Sequence, residues 1–431
     1  MDKRITVIDA LRGFALLGVI LMHMLDHFGY TSASMLDESS PSVWDITIQW
    51  FTGKMIRGKF ISIFSFLFGL SFYIQMERAS KKGIDFRGRF LWRMLLLFVI
   101  GLIGTSFTYL DILTIYAVFG IVLVFLFPLR NWALMLIVCL LLIGIPNLFL
   151  IGFDNIKFDN TIDEQPAANA LPAISGQLTV ADIPVVSGQP ADDNTFESVT
   201  FLQSVKENLT VKTFDKLKFQ FRYSNTGYLI LALFIMGFIV GRLRFFEQVH
   251  IRKKRNIVLF AVFLLTSFII LLTVKLMPKE SIDLLKTRME EGEVPLIALV
   301  ISTLNNLSTI TLSGTLVMGF ITLYQIGSVR KYLNLLTPYG RMGLTNYEMQ
   351  NVIGAILFSA WGFGSVFGNK GAAELFALGL IIYTLQVIIS EYWMKRFLYG
   401  PLEWVWRSGT YLKGQPFRRK RKPQKVEVVM E

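Results

Sequence analysis

Arg12 and His23 stand eleven residues apart in an apolar stretch, residues 7–27, that also carries Asp9, Asp26 and His27. At about 100° per residue, eleven residues make three turns and a small remainder. Both side chains then share one helix face, about 16 Å apart along the axis. Ionisable groups inside an apolar span are costly, so they face protein or water and mark working sites. A neutral imidazole can take a proton from an attacking hydroxyl or amine near neutral pH. A guanidinium can hold a phosphate or carboxylate. The blander reading has Arg12 snorkelling to one surface and His23 resting at the other. Asp26 can orient an imidazole or cap the loop. His23, Asp26 and His27 at i, i+3 and i+4 could hold a metal. The chain has three histidines in all, so no further one completes such a site near these two.

Further charge clusters could serve the same face. Lys54, Arg57 and Lys59 precede the aromatic run Phe60 to Gly69 and suit an anionic substrate or lipid headgroups. Arg89 and Arg93, at i and i+4, could clamp a polyphosphate, or could simply set topology. Asp111 lies between two apolar runs, where capping a helix start is its plain role. In the segment from Gly340 to Asn351, Arg341, Thr345 and Glu348 lie near one face, and Asn346 and Gln350 share another. These groups could line a donor channel or act as interhelical hydrogen-bonded glue. Pro401 with Trp404 and Trp406 suggests an interfacial anchor, with Glu403 and Arg407 spaced to pair.

The elements that must position these residues are membrane helices. The chain is 53% hydrophobic and only 17% charged, against about 25% charged in soluble domains. Apolar runs point to ten spans, near 7–27, 58–76, 94–110, 112–129, 132–151, 224–241, 256–276, 294–322, 342–362 and 374–395. The span 294–322 is overlong and polar inside, so a tilt, bend or break is expected there. Most of the 43 lysines and arginines fall on one side when both termini are cytoplasmic. That asymmetry explains the net charge of +12 without nucleic acid, which is excluded as a partner. The first run has no small-residue cleavage site and reads as a retained helix. Cys139 is the single cysteine, so no disulfide framework exists.

The expected fold is therefore an all-α polytopic helix bundle of about ten spans with one large extracytoplasmic insertion. Residues 1–151 form an N-terminal half of five helices and residues 152–223 the insertion. Residues 224–411 form a C-terminal half of five helices, and 412–431 a basic cytoplasmic tail. Within the insertion, Phe201, Val205, Leu209, Phe214, Leu217 and Phe221 recur near helical spacing, as in an interfacial amphipathic helix.

The order of motifs resembles the YeiB-like family of bacterial multispan membrane proteins, with its C-terminal domain of unknown function 418. The matching pieces are Ile8 to Gly18, Phe64 to Gly69, Asp111 to Ala117, Gly340 to Tyr347 and Gly400 to Arg407. That family is similar to the transmembrane acyltransferases, which include the acyltransferase-3 proteins and the lysosomal glucosaminide N-acetyltransferases. Arg12 and His23 match an Arg-x10-His motif of that superfamily, and Arg89 with Arg93 matches its second arginine pair. Gly104 stands where YeiB-like relatives often have histidine.

The resemblance implies acyl transfer from cytoplasmic acyl-CoA, acetyl-CoA above all, to an acceptor glycan, lipid or small molecule in the cell envelope. It implies His23 as base and Asp26 as its orienter. Arg12, Arg89, Arg93, Arg341 and Asn346 would hold the donor, and His27, Arg57, Lys59 and Asp111 the acceptor. No metal is expected. Membrane lipids, acyl-CoA and the acceptor are the expected partners, a homodimer is compatible, and the location is a bacterial plasma membrane. The same polar groups would also suit a transporter or exporter of a small anionic solute.

Overall fold

The computed structural model describes residues 5–30, 42–146, 149, 199–276 and 296–419. In chain order its helices are α1 (Thr6–Leu25), α2 (Val43–Phe51), α3 (Lys59–Ser80), α4 (Arg87–Phe107), α5 (Leu113–Leu126) and α6 (Asn131–Ile143). Then come α7 (Phe201–Leu209), α8 (Val211–Lys218), α9 (Thr226–Arg242), α10 (Lys253–Lys275), α11 (Leu296–Tyr324), α12 (Gly327–Leu333) and α13 (Leu336–Arg341). The last are α14 (Gly343–Phe358), α15 (Gly364–Phe367), α16 (Ala372–Arg396) and α17 (Pro401–Tyr411). Among the described residues there is no strand, only an isolated bridge between Phe397 and Arg418. The protein is an all-α polytopic bundle.

Each expected span has a helix, but the helices are unequal. Among the described residues, six are long and apolar enough to cross a membrane, and a seventh arises if the bent pair 201–221 and 226–242 counts as one. Helices α5 and α6 have 14 and 13 residues, about 20 Å each, short of a bilayer's apolar thickness. The expected run 132–151 ends partly outside the described residues. Helix α14 has 16 residues.

Helix α1 lies at the centre. Its apolar window is 78% buried, against 11% for α10, which packs chiefly on α11. Glycines let neighbours approach α1 and α3 backbone to backbone. A Cβ on Gly340 would lie 1.8 Å from the Asp9 carbonyl, so α13 crosses α1 beside Arg12. Gly18 receives the Phe60 ring of α3, and Gly237 of α9 meets the Phe66 carbonyl.

Of the tilt, bend or break expected in 294–322, α11 shows no break. It runs unbroken for 29 residues. Its hydroxyls bond back to their own helix: Thr311 to Leu307, Ser313 to Thr309 and Thr315 to Thr311. Asn306 donates to the Leu142 carbonyl of α6. Polar groups satisfied within the protein do not force a helix open.

The start of the insertion, 152–198, lies outside the described residues. Its amphipathic end is two helices, α7 and α8, joined at Thr210. They turn their polar side to the bundle, burying Ser204, Asn208 and Lys216 while Leu202 and Phe214 stay exposed. Asn208 donates to the Ser106 carbonyl at the end of α4.

Candidate functional site

The far end of α1 holds a buried polar cluster. His23 is 5% exposed and lies 5.3 Å, centroid to centroid, from the Phe28 ring. Its Nδ1 is shut off from solvent with no hydrogen-bond partner. The cations close enough to act on it are Arg57 and Lys216. Asp26 does not orient this imidazole. Both its oxygens accept from Arg57, at 2.5 and 3.1 Å, because a buried carboxylate is held most strongly by a two-toothed cation. Arg57 is thus spent as a counter-ion, and Asp26 as its partner. His27 sits at positive φ, edge-on to Phe358. With Asp26 taken by Arg57, the i, i+3, i+4 metal arrangement is not assembled. Lys59 is buried at the start of α3.

A second set of acids completes this end. Asp111 is fully buried, and its Oδ2 accepts from the Leu113 amide at the start of α5. Asn351 donates to Asp111 Oδ1 at 3.2 Å and Glu348 Oε2 at 3.4 Å, so one amide bridges two carboxylates. Tyr347 accepts from the Ile112 amide. Lys216 of α8 donates to the carbonyls of Tyr109, at 2.9 Å, and of Asp111. Glu348 Oε1 is buried and unpartnered. A Cβ at Gly104 would lie 2.5 Å from this carboxylate, so Glu348 fills the space a side chain at 104 would take. Leu16 faces Gly343 and Phe28 faces Gly354, so α1 and α14 run parallel, with His23 near the depth of Glu348 and Asn351.

The near end of α1 holds arginines. Arg12 pairs with Asp9 at 2.8 Å and donates to Ser71 at 2.5 Å. Arg93 of α4 stacks on Trp406 of α17 at 3.7 Å, and the Trp406 indole donates to the Arg93 carbonyl. The charges acting on Arg93 include Arg407 and Arg12, both cations. Arg407 lies over the rings of Tyr399 and Tyr411, and Arg89 over Tyr411. The Nε atoms of Arg93 and Arg407 are buried without partners. Arg341 donates to the Leu398 carbonyl at 3.3 Å.

Glu403 does not pair with Arg407. It accepts from the amides of Leu344 and Thr345 and from the Thr345 hydroxyl, which closes the start of α14. A carboxylate at a helix N-terminus meets both free N–H groups and the positive dipole end. The tryptophans of α17 likewise turn into the protein, Trp404 donating to the Gln415 carbonyl.

Arg12, Arg93 and Arg341 thus gather at one end, with Arg89 exposed at the rim. Asn346 stands apart from them. Its amide donates to the Tyr339 carbonyl and Ser390. Those bonds join a buried network with Gln350 and Gln386, the glue reading of that segment. Lys216 and Asn351 enter the two clusters without being singled out by spacing, whereas spacing places Glu348 on a face with Arg341 and Thr345, and the sequence reads Trp406 as an interfacial anchor. Asn351 was visible only as a polar residue entering an apolar run.

Residues 240–413 match the family described as protein of unknown function DUF418. Residues 4–163, which carry Arg12, Arg93 and His23, match the catalytic domain of heparan-alpha-glucosaminide N-acetyltransferase. The YeiB protein of Escherichia coli (strain K12) is 37% identical over 71 residues, 16% of this chain and 18% of its own. Over these residues the chain is similar to the YeiB-like DUF418 proteins. Two relatives align over 98% of both chains. They are the YxaH protein of Bacillus subtilis (strain 168), 27% identical, and a 39.9 kDa protein from the amylase 3' region of Bacillus acidopullulyticus, 26% identical. This chain therefore joins a C-terminal DUF418 match to an N-terminal region similar to an acetyltransferase catalytic domain.

Proposed function

We propose that the protein moves an acyl group, acetyl first of all, from acyl-CoA at the Arg12 end of α1 to a hydroxyl or amine of a cell-envelope acceptor at the His23 end. The observation that carries this reading is the pairing on one central helix. A buried imidazole with an unused ring nitrogen stands at one end, and buried guanidinium groups with unused N–H atoms stand at the other. The match of this half to an acetyltransferase catalytic domain supports it.

In this reading Arg93 and Arg407, with Arg12 and Arg341 beside α1, hold the phosphates of the donor on the cytoplasmic side. The thioester arm reaches along α1 over the roughly 16 Å to His23. His23 takes the acceptor's proton as its oxygen or nitrogen attacks the thioester carbonyl, then returns a proton to the leaving thiolate. Lys216 and Arg57, already partnered, give the outer end its positive field for the oxyanion.

The test uses the purified full chain in detergent with labelled acetyl-CoA. Acceptor-dependent release of CoA that vanishes in His23→Ala, with CoA still bound, is the expected result. Absence of CoA binding to the wild-type chain would sink the proposal.

A further inference from the structure

Away from α1, a cavity of about 260 Å³ lies between the outer pair α10 and α11 and the inner pair α3 and α9. Its walls are apolar except for Ser62 and Ser313. Both hydroxyls are spent, on the carbonyls of Gly58 and Thr309. A water there could donate only to those two hydroxyl oxygens and would find no donor, and a buried water needs several partners. A dry void of this size weakens packing in proportion to its volume. Hydrocarbon is the filling that suits it, and the cavity is open on one side of a bundle that stands in lipid.

One end of the cavity carries charge. Phe245 and Leu259 line it, and the Arg255 guanidinium lies 4.4 Å from the Phe245 ring centroid, one helical turn before Leu259. Arg255 Nε and Nη2 are closed off from solvent without a hydrogen-bond partner, while Nη1 donates to Gln248 at 3.3 Å. The charge acting on it is another cation, Arg252. Lys253 and Lys254 follow, exposed, at the same helix start. Glu247, the acid beside them in sequence, acts on Arg244. An apolar slot ending in a cation with unused N–H groups matches a phospholipid in both halves.

We propose that this slot binds one acyl chain of an anionic glycerophospholipid, with its phosphate on Arg255. The lipid wedges α10 and α11 against α3 and α9, filling the gap behind a helix that otherwise touches little protein. The proposal is independent of acyl transfer, and its test reads lipid rather than turnover.

The full chain is delipidated in mild detergent and titrated with phosphatidylglycerol, with phosphatidylethanolamine of the same chains, and with glycerol phosphate. Bound lipid is counted by native mass spectrometry. Expected is one phosphatidylglycerol per chain, held about fivefold more tightly than phosphatidylethanolamine, as one cation near a membrane surface provides. Arg255→Gln should erase that preference, and Val317→Phe, which fills the slot, should lower retention of both lipids. A phosphatidylglycerol with a diazirine on its acyl chain, used on the wild-type chain, should label Met236 or Met318. This arm does not depend on any variant folding. Equal retention of the two lipids would overturn the headgroup assignment. Glycerol phosphate binding as tightly as the lipid, or labelling confined to outer faces of α10, would overturn the slot.

Discussion

The two ends of α1 treat charge in opposite ways. At the His23 end, the cations are held inside the protein: Arg57 by the Asp26 carboxylate, and Lys216 by the Tyr109 and Asp111 carbonyls. Left over there are ring nitrogens of His23 and His27 and one oxygen of Glu348. At the Arg12 end, Arg93 and Arg407 rest on aromatic rings, and the acids beside them are committed, Asp9 to Arg12 and Glu403 to the start of α14. A site with cations matched and proton acceptors spare is suited to moving a proton. A site with acids withheld and cations spare is suited to receiving an anion.

The comparison breaks most sharply at His23. His23→Ala should lower acyl transfer by about 10²–10⁴-fold, the usual worth of a positioned base, and leave CoA affinity within about twofold. Turnover of labelled acetyl-CoA alongside direct CoA binding reads both quantities. Equal losses of binding and turnover would mean that the two ends are not separate in role. Arg57→Ala tests the matched charges. It leaves Asp26 buried and alone, at a cost of about 3–5 kcal/mol in stability. The double variant Arg57→Ala with Asp26→Ala should recover a good part of that loss in thermal unfolding. No recovery would show that Arg57 serves something other than Asp26.

How much of this was legible in the sequence follows from the kind of interaction. The helix class and the special place of α1 rest on apolar run length and on charges within it, both local, so they could be read directly. The sharing of a face by Arg12 and His23 is also local. Partner choice is not. Asp26 is three residues from His23 yet binds Arg57, 31 residues away. Glu403 is four residues from Arg407 yet binds the start of α14, 58 residues back. Lys216 looked like one lysine among several on an exterior segment, because its target is a pair of backbone carbonyls that no residue pattern reveals. A break, one of the three outcomes expected for α11, is absent for a related reason. Hydroxyl content was read as strain, when i−4 back-bonding had already satisfied it.

Smaller effects sharpen the Arg12 end. Gly340→Ala forces α13 away from the Asp9 carbonyl and should cost about 1–3 kcal/mol of stability, measured by thermal unfolding. An unchanged midpoint would mean that the close crossing of α13 and α1 is not needed. The finest distinction is between two arginines on one face of α4. Arg93 is stacked under Trp406 with a buried, unused Nε, whereas Arg89 is exposed over Tyr411. A charge-assisted hydrogen bond made out of water contributes about 1.5–3 kcal/mol, an exposed ion pair under about 1. Arg93→Ala should therefore raise the dissociation constant for CoA about tenfold or more, and Arg89→Ala less than about fivefold. The exposed contact should also fade with added salt, since a charge facing water is screened and a buried one much less so. If both variants lose the same affinity with the same salt dependence, the arginine end is a diffuse basic surface. The inward stacking of Arg93 would then be packing alone.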